Sequence, residues 1–269
     1  MRSHWFREDP GRSFSIPPLT AWSGATLLMV LLVACFLLQF VPGVTQALAL
    51  HLDQVDQPLY WYQFLTYAVM HSETDLMHLL MNLLVIFFFG RQIESDLGGR
   101  RPFLAFCAVA ALVASLSFVA IELLKNPAGE GMLLGASGMA YACLVAFGTL
   151  YPQAQVILFI VPMRAWALVS IFMGLALWYS LHGAGGVAHV AHLGGGAFGF
   201  LFIRYRSQAT QLVARYRTKR RQTELRRRVD RKQEVDRILE KISKTGIGSL
   251  TKEERKFLDA ASRDLRNPR

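Results

Sequence analysis

Five polar side chains stand inside long uncharged stretches of this chain: His78 and Asn82, Ser137, and His189 and His192. In lipid a polar group needs a partner or water, so each is a candidate for chemistry. Ser137 lies in Gly135-Ala136-Ser137-Gly138, where missing side-chain bulk leaves the hydroxyl and nearby backbone N–H groups approachable. A small-residue packing seam is the plain alternative for that motif. His192 is followed by Gly195 and Gly199, a GxxxG spacing that lets a second helix backbone approach closely. Because His192 lies one helical turn before Gly195, its imidazole shares the contact face and is expected to meet the helix carrying Ser137. A serine hydroxyl against an imidazole is a nucleophile with a general base. His189 stands one turn nearer the outer surface without a glycine at the same offset. His192 is therefore favoured as the base, and His189 is assigned to the rim. His78 and Asn82, spaced i, i+4, project from one helical face as adjacent donors for the oxyanion of a tetrahedral intermediate. Polar contact between helices is their plain alternative. No Asp or Glu joins the set, which predicts a Ser–His dyad whose imidazole is oriented by packing.

The elements that must position these groups are membrane spans. At 269 residues, 53% hydrophobic and 18% charged, the chain is too apolar for soluble domains of that length. Uncharged runs predict spans over Ala21–Val41, Leu76–Gly90, Pro102–Ile121 and Gly131–Tyr151. Ala165–Ile203 holds two more, with a turn at Gly183, Gly185 and Gly186. The first run is too long for the apolar core of a cleaved signal peptide and lacks a small-residue cleavage site. Leu76–Gly90 is short for the ~30 Å hydrocarbon layer, and charge decides in its favour. With six spans, Arg2, Arg7, Arg12, Arg91, Arg100, Arg101, Arg164 and the basic tail all fall on one side. The opposite side receives Asp53, Asp56, Glu73, Asp75, Lys125 and Glu130. Both termini are then expected in the cytoplasm, with a bacterial inner membrane as host. The fold class expected is all-α: a polytopic six-helix bundle over 21–205, preceded by a cytoplasmic segment 1–20 and followed by a cytoplasmic helical tail 206–269. Counted back from the inner end of their spans, His78, Ser137 and His192 share one layer roughly 18–21 Å above the inner boundary. That layer lies in the outer half of the membrane, within reach of outside water. Cys35, Cys107 and Cys143 lie in apolar runs without paired spacing, so no disulfide, metal or cofactor is expected.

From about Trp61 to Tyr205 these residues resemble the rhomboid intramembrane serine proteases. The resemblance rests on four fragments in order: His78-Leu-Leu-Met-Asn82, Phe89-Gly90-Arg91-Gln92-Ile93-Glu94, Gly135-Ala136-Ser137-Gly138-Met139-Ala140-Tyr141, and Ala191-His192-Leu-Gly-Gly195 with Gly199. It implies Ser137 as nucleophile, His192 as base, and His78 and Asn82 as oxyanion-site residues. It also implies Tyr141 as the ring on which the imidazole stacks and Glu94 as the acidic residue ending the second span. Segment 42–75 corresponds to the family's long first loop, which lies partly in the outer leaflet. That loop usually carries Trp-Arg, whereas here Trp61 is followed by Tyr62. The implied activity is cleavage of membrane proteins within or beside their transmembrane helices, with the uncharged fifth span, Ala165–Ser180, as side gate. A catalytically silent relative that binds or escorts membrane helices is the alternative, and such proteins typically lack the serine or the histidine. A transporter or channel would need polar groups continuing toward the inner face, and these form one layer.

Residues 204–269 carry 21 of the 29 Lys and Arg but 9 of the 19 Asp and Glu. Residues 206–245 read as a basic helix, with Arg215, Arg217, Lys219, Arg220, Arg221, Arg226, Arg227 and Arg228 beside the inner membrane face. Its expected partners are anionic lipid head groups, at about 1 kcal/mol per well-placed basic residue, and not nucleic acid. Ile238, Leu239 and Ile242 form an apolar stripe before Gly246 and Gly248. Thr251-Lys-Glu-Glu254 is a capping box, and Phe257, Leu258 and Ala261 form the next stripe, so a helical hairpin is expected. The pattern Ile-Leu-x-Lys-Ile…Ser-Leu-Thr-x-Glu-Glu resembles tails of bacterial rhomboid-like sequences, without giving this one a role.

Overall fold

A computed structural model describes residues 22–125, 131–158, 161–182 and 189–258, with backbone alone at 158, 207, 209–232, 245 and 247. Arg2, Arg7, Arg12, Glu130, the expected turn at Gly183, Gly185 and Gly186, and Ala261 lie outside the described residues. So do the side chains of the basic cluster Arg215–Arg228. The chain divides into two compact units, Met1–Tyr205 and Arg206–Arg269.

The first unit is an all-α polytopic membrane bundle. Helix α1 covers Gly24–Leu38. Short helices α2 (Val44–Leu48) and α3 (Gln63–Thr66) follow in the long first loop. Helix α4 (Leu76–Val85) continues through a π-turn at Ile86–Gly90 into α5 (Arg91–Leu97). Next come α6 (Arg100–Lys125), α7 (Ser137–Leu150), α8 (Ala165–His182) and α9 (His189–Thr245). The stretches Leu76–Leu97, Arg100–Lys125 and Ala165–His182 are each long and apolar enough to cross a bilayer. Many large apolar side chains point outward from these helices, among them Leu37, Leu80, Phe88, Leu116 and Leu175. Hydrocarbon as solvent makes that arrangement favourable; water would not.

Helix α7 is the hub. It buries Gly138, Met139, Ala140, Ala142, Cys143, Leu144, Val145, Ala146 and Gly148, so almost every side of it is covered. These mostly small side chains let neighbouring backbones approach closely. Helix α6 turns one face inward, with Phe103, Phe106, Cys107, Ala110, Ala111, Ala114 and Phe118 buried. The buried Glu94 carboxylate accepts from the Gly24 and Ala25 N–H groups at 2.6 and 2.9 Å, and the Ser23 hydroxyl accepts from the Thr26 N–H. An anion at a helix N-terminus satisfies donors that lack intrahelical partners and opposes the positive end of the dipole. That network holds α1 against the end of the second span.

Several expected boundaries move. The second span runs to Leu97 and the third occupies Arg100–Lys125, so both are longer than the uncharged runs. Charged residues where the two helices meet remain helical, and the π-turn absorbs one extra residue at the join. The fourth is shorter than the Gly131–Tyr151 run, because helix begins only at Ser137. Its first residues instead form strand β2 (Met132–Leu133), antiparallel to β1 (Leu50–His51) in the first loop. Gly135 then turns at φ 120°, in the left-handed region that glycine tolerates without a Cβ penalty. A second antiparallel ribbon, β3 (Gln155–Leu158) with β4 (Val161–Arg164), joins α7 to α8 where no strand was expected.

Tyr62 does not leave the first loop unanchored. Buried Gln63 donates to Ala47 and Gln54 and accepts from the His51 N–H, while the Thr66 hydroxyl donates to Leu48. The Tyr62 hydroxyl itself donates to the Ala47 carbonyl at 2.9 Å, and the Trp61 indole N–H to Val55. The amide of Gln63, next to Tyr62, thus ties separate segments of the first loop together.

In the second unit, Ile238 is fully buried. The capping box closes reciprocally: Glu254 accepts from the Thr251 N–H at 2.9 Å, and the Thr251 hydroxyl accepts from the Glu254 N–H at 3.2 Å. The same carboxylate receives Lys241 Nζ at 2.9 Å. Lys241 and the Thr251 N–H together hold the Glu254 carboxyl well below the usual carboxylate range, at about 2.

Candidate active site

Ser137 is the first residue of α7, and its helix gives it two properties. The backbone N–H groups of a first helical turn lack intrahelical acceptors, and the positive end of the dipole faces them. The hydroxyl therefore stands beside a ready-made site for developing negative charge. Gly135 and Gly138 clear the surroundings. A Cβ at Gly135 would come within 2.7 Å of the His78 ring, and one at Gly138 within 2.5 Å of the Ala114 Cβ.

His192 reaches Ser137 because α9 packs its glycines on α7. A Cβ at Gly195 would collide with the Gly138 carbonyl, and one at Gly199 with the Ala142 carbonyl. Main chain thus lies directly on main chain along this seam. His192 Nε2 is 2.8 Å from Ser137 Oγ. Its ring stacks on Tyr141, with centroids 4.4 Å apart and planes 8° from parallel. The buried His192 Nδ1 has no hydrogen-bond partner among the described residues. Stacking and burial, without a carboxylate, fix the ring. His189 stacks on Tyr179 of α8 at 5.1 Å, and its ring lies 5.7 Å from that of His192.

His78 and Asn82 stand on α4, across from the Gly135–Ser137 turn. His78 packs edge-on against His71 at 5.4 Å, and buried Asn82 places Nδ2 3.1 Å from His71 Nε2. The structure thereby adds a residue that the sequence analysis did not single out. His71 is fully buried in the first loop, and Gln39, just after α1, holds it by two hydrogen bonds. His71 precedes an uncharged run and Gln39 lies two residues from the end of the Ala21–Val41 run, and at such boundaries a polar side chain is ordinary and raises no alarm. Gln63 was hidden in the same way.

The rhomboid domain family matches residues 58–209. The chain belongs to the rhomboid family. The match covers every residue of the serine and histidine cluster from His71 to Gly199. This rhomboid chain is 32% identical over 143 residues to "Rhomboid protein 1, mitochondrial" of Saccharomyces cerevisiae, covering 52% of itself and 41% of that protein. It is also 32% identical over 144 residues to "Presenilin-associated rhomboid-like protein A, mitochondrial" of Danio rerio, covering 50% of itself and 35% of the relative. The chain therefore spans less than half the length of either relative. Residues 225–264 match a separate family of unknown function, DUF6576.

A cavity of about 710 Å³ opens among α4, α7, α8 and β3, lined by residues including Met81, Val85, Phe88, Phe147, Leu168 and Phe172. It touches neither Ser137 nor His192. Helix α8 is the loosest of the three long apolar stretches, with 17% of its apolar window buried against 33% and 39% for the other two.

Proposed function

We propose that this rhomboid is an intramembrane serine endopeptidase, cleaving transmembrane-helix substrates near the outer face through a Ser137–His192 dyad. The observation that carries the reading is the 2.8 Å contact between Ser137 Oγ and His192 Nε2 at the start of a buried helix. His192 Nε2 takes the serine proton as Oγ attacks the scissile carbonyl carbon. The carbonyl oxygen becomes an oxyanion, which accepts hydrogen bonds from the first turn of α7, from His78 and from Asn82. Collapse expels the amine, which receives the proton from His192, and leaves an acyl ester on Ser137. Water, deprotonated by the same imidazole, then attacks the ester and frees the enzyme.

The substrate must present an unwound segment, because the carbonyls of an intact helix are already hydrogen-bonded along the chain. Helices with Gly, Pro or polar residues near the outer boundary satisfy that condition. The sparse packing of α8 supports lateral entry beside it. In this reading both termini face the cytoplasm of a bacterial host, and the basic 206–269 segment meets anionic lipid.

Purified protein incubated in detergent with a panel of single-span substrates tests the assignment. Cleavage by the wild type that disappears in Ser137→Ala and in His192→Ala is the expected result. Equal cleavage by wild type and Ser137→Ala overturns it.

A further inference from the structure

Two donors converge on one nitrogen of His71, and a third residue holds its backbone. The Asn82 side-chain nitrogen is 3.1 Å from its Nε2, and the Ala136 backbone N–H is directed at the same atom from 3.4 Å. Behind it, Gln39 accepts from the His71 N–H at 3.1 Å and donates to the His71 carbonyl at 2.6 Å. His71, Gln39 and Asn82 are all buried.

The chemistry of these contacts is ordered. A backbone N–H can only donate, which assigns a lone pair to the His71 Nε2 facing Ala136 and the ring proton to Nδ1, a buried atom without a hydrogen-bond partner among the described residues. The Asn82 atom facing that lone pair must then be the amide nitrogen and not the oxygen. One N–H of Asn82 is thereby spent on His71, and the other is left to donate. Through Ala136, the same lone pair ties down the residue immediately before Ser137.

We propose that His71, clamped by Gln39, is a positioning residue: it fixes which way up the Asn82 carboxamide sits and where the Ala136–Ser137 turn lies, so that both present donors to the oxyanion. The inference rests on the protease reading. It assigns no proton transfer to His71, which keeps its proton throughout the reaction.

The test is steady-state cleavage of a single-span substrate by the full-length protein, with Ser137→Ala as blank. His71→Leu fills the space but removes the acceptor; it is expected to lower kcat about 10-fold or more while leaving KM within about twofold. His71→Gln restores an acceptor and is expected to recover part of that loss. In an Asn82→Ala background, His71→Leu is expected to cost severalfold less than it does in the wild type, because one of the two groups it positions is gone and only the Ala136–Ser137 turn remains. Gln39→Leu, which releases the His71 backbone and keeps the ring, carries the same comparison if His71→Leu does not fold. Unchanged kcat in the folded variant, or a loss of the same factor in the Asn82→Ala background, overturns the proposal. Either result, with Ser137→Ala inactive, leaves the protease reading standing. Cleavage surviving in Ser137→Ala overturns both.

Discussion

At the scale of single residues, the site depends on an imidazole oriented without a carboxylate. Its plane is set by the Tyr141 ring, so the ring and not the hydroxyl is the required part. Tyr141→Phe is expected to keep kcat within about twofold, whereas Tyr141→Ala is expected to lower it about 10-fold or more, both read from initial cleavage rates. Asn82→Ala removes a proposed oxyanion donor and is expected to lower kcat by roughly 100-fold with little change in KM. Ser137 was legible because it stands among small residues in an apolar run, and His192 because its offset to Gly195 fixed the face and set it apart from His189. The pairing of Asn82 with His71 was not. It crosses from a helix to a loop, and no periodicity links residues whose relation is set by tertiary structure alone.

Among elements, the seam between α7 and α9 decides whether the two reacting groups meet. Gly195→Val forces side-chain atoms into the Gly138 carbonyl and is expected to destabilise the bundle by about 1–3 kcal/mol and to abolish cleavage. Unfolding in mixed micelles and substrate turnover measure the two effects. The seam was readable from GxxxG, whereas the start of α7 was not. Hydropathy continues smoothly through Gly131–Leu133, and only pairing with Leu50 and His51 pulls that stretch out of the helix. The capping box in the second unit was equally plain, since its two partners are close in sequence. It yields a pH prediction. The folded Glu254 carboxyl is depressed below its ordinary value, so its contribution is present above about pH 4.5 and is lost as pH falls toward about 2. Amide protection factors over 238–258, the intrinsic exchange rate at each pH divided by the observed one, are expected to be high at pH 5 and to fall across that window, and in Glu254→Gln to be low already at pH 5.

For the whole molecule, the charge distribution separates a nearly neutral membrane unit from a basic appendage. All the proposed chemistry lies in Met1–Tyr205. A chain ending at Tyr205 is therefore expected to retain Ser137-dependent cleavage in detergent. Binding of the full-length tail segment to anionic vesicles is expected to fall as salt rises, measured by flotation at two ionic strengths. The membrane character was legible from composition, because hydrocarbon selects for residue type along whole spans. The tail's assignment was not, since basic helices suit several surroundings.

The glycine seam has a thermal consequence. Side chains in most active sites sample rotamers more widely as temperature rises, and the reacting atoms drift before the protein melts. Here the two helices touch through main-chain atoms that have no rotamers to explore, and their separation is governed by atomic radii. The spacing of the two backbones should consequently hold up to the melting point, so that any earlier loss of turnover is expected to trace to the Ser137 and His192 side chains and not to the seam beneath them.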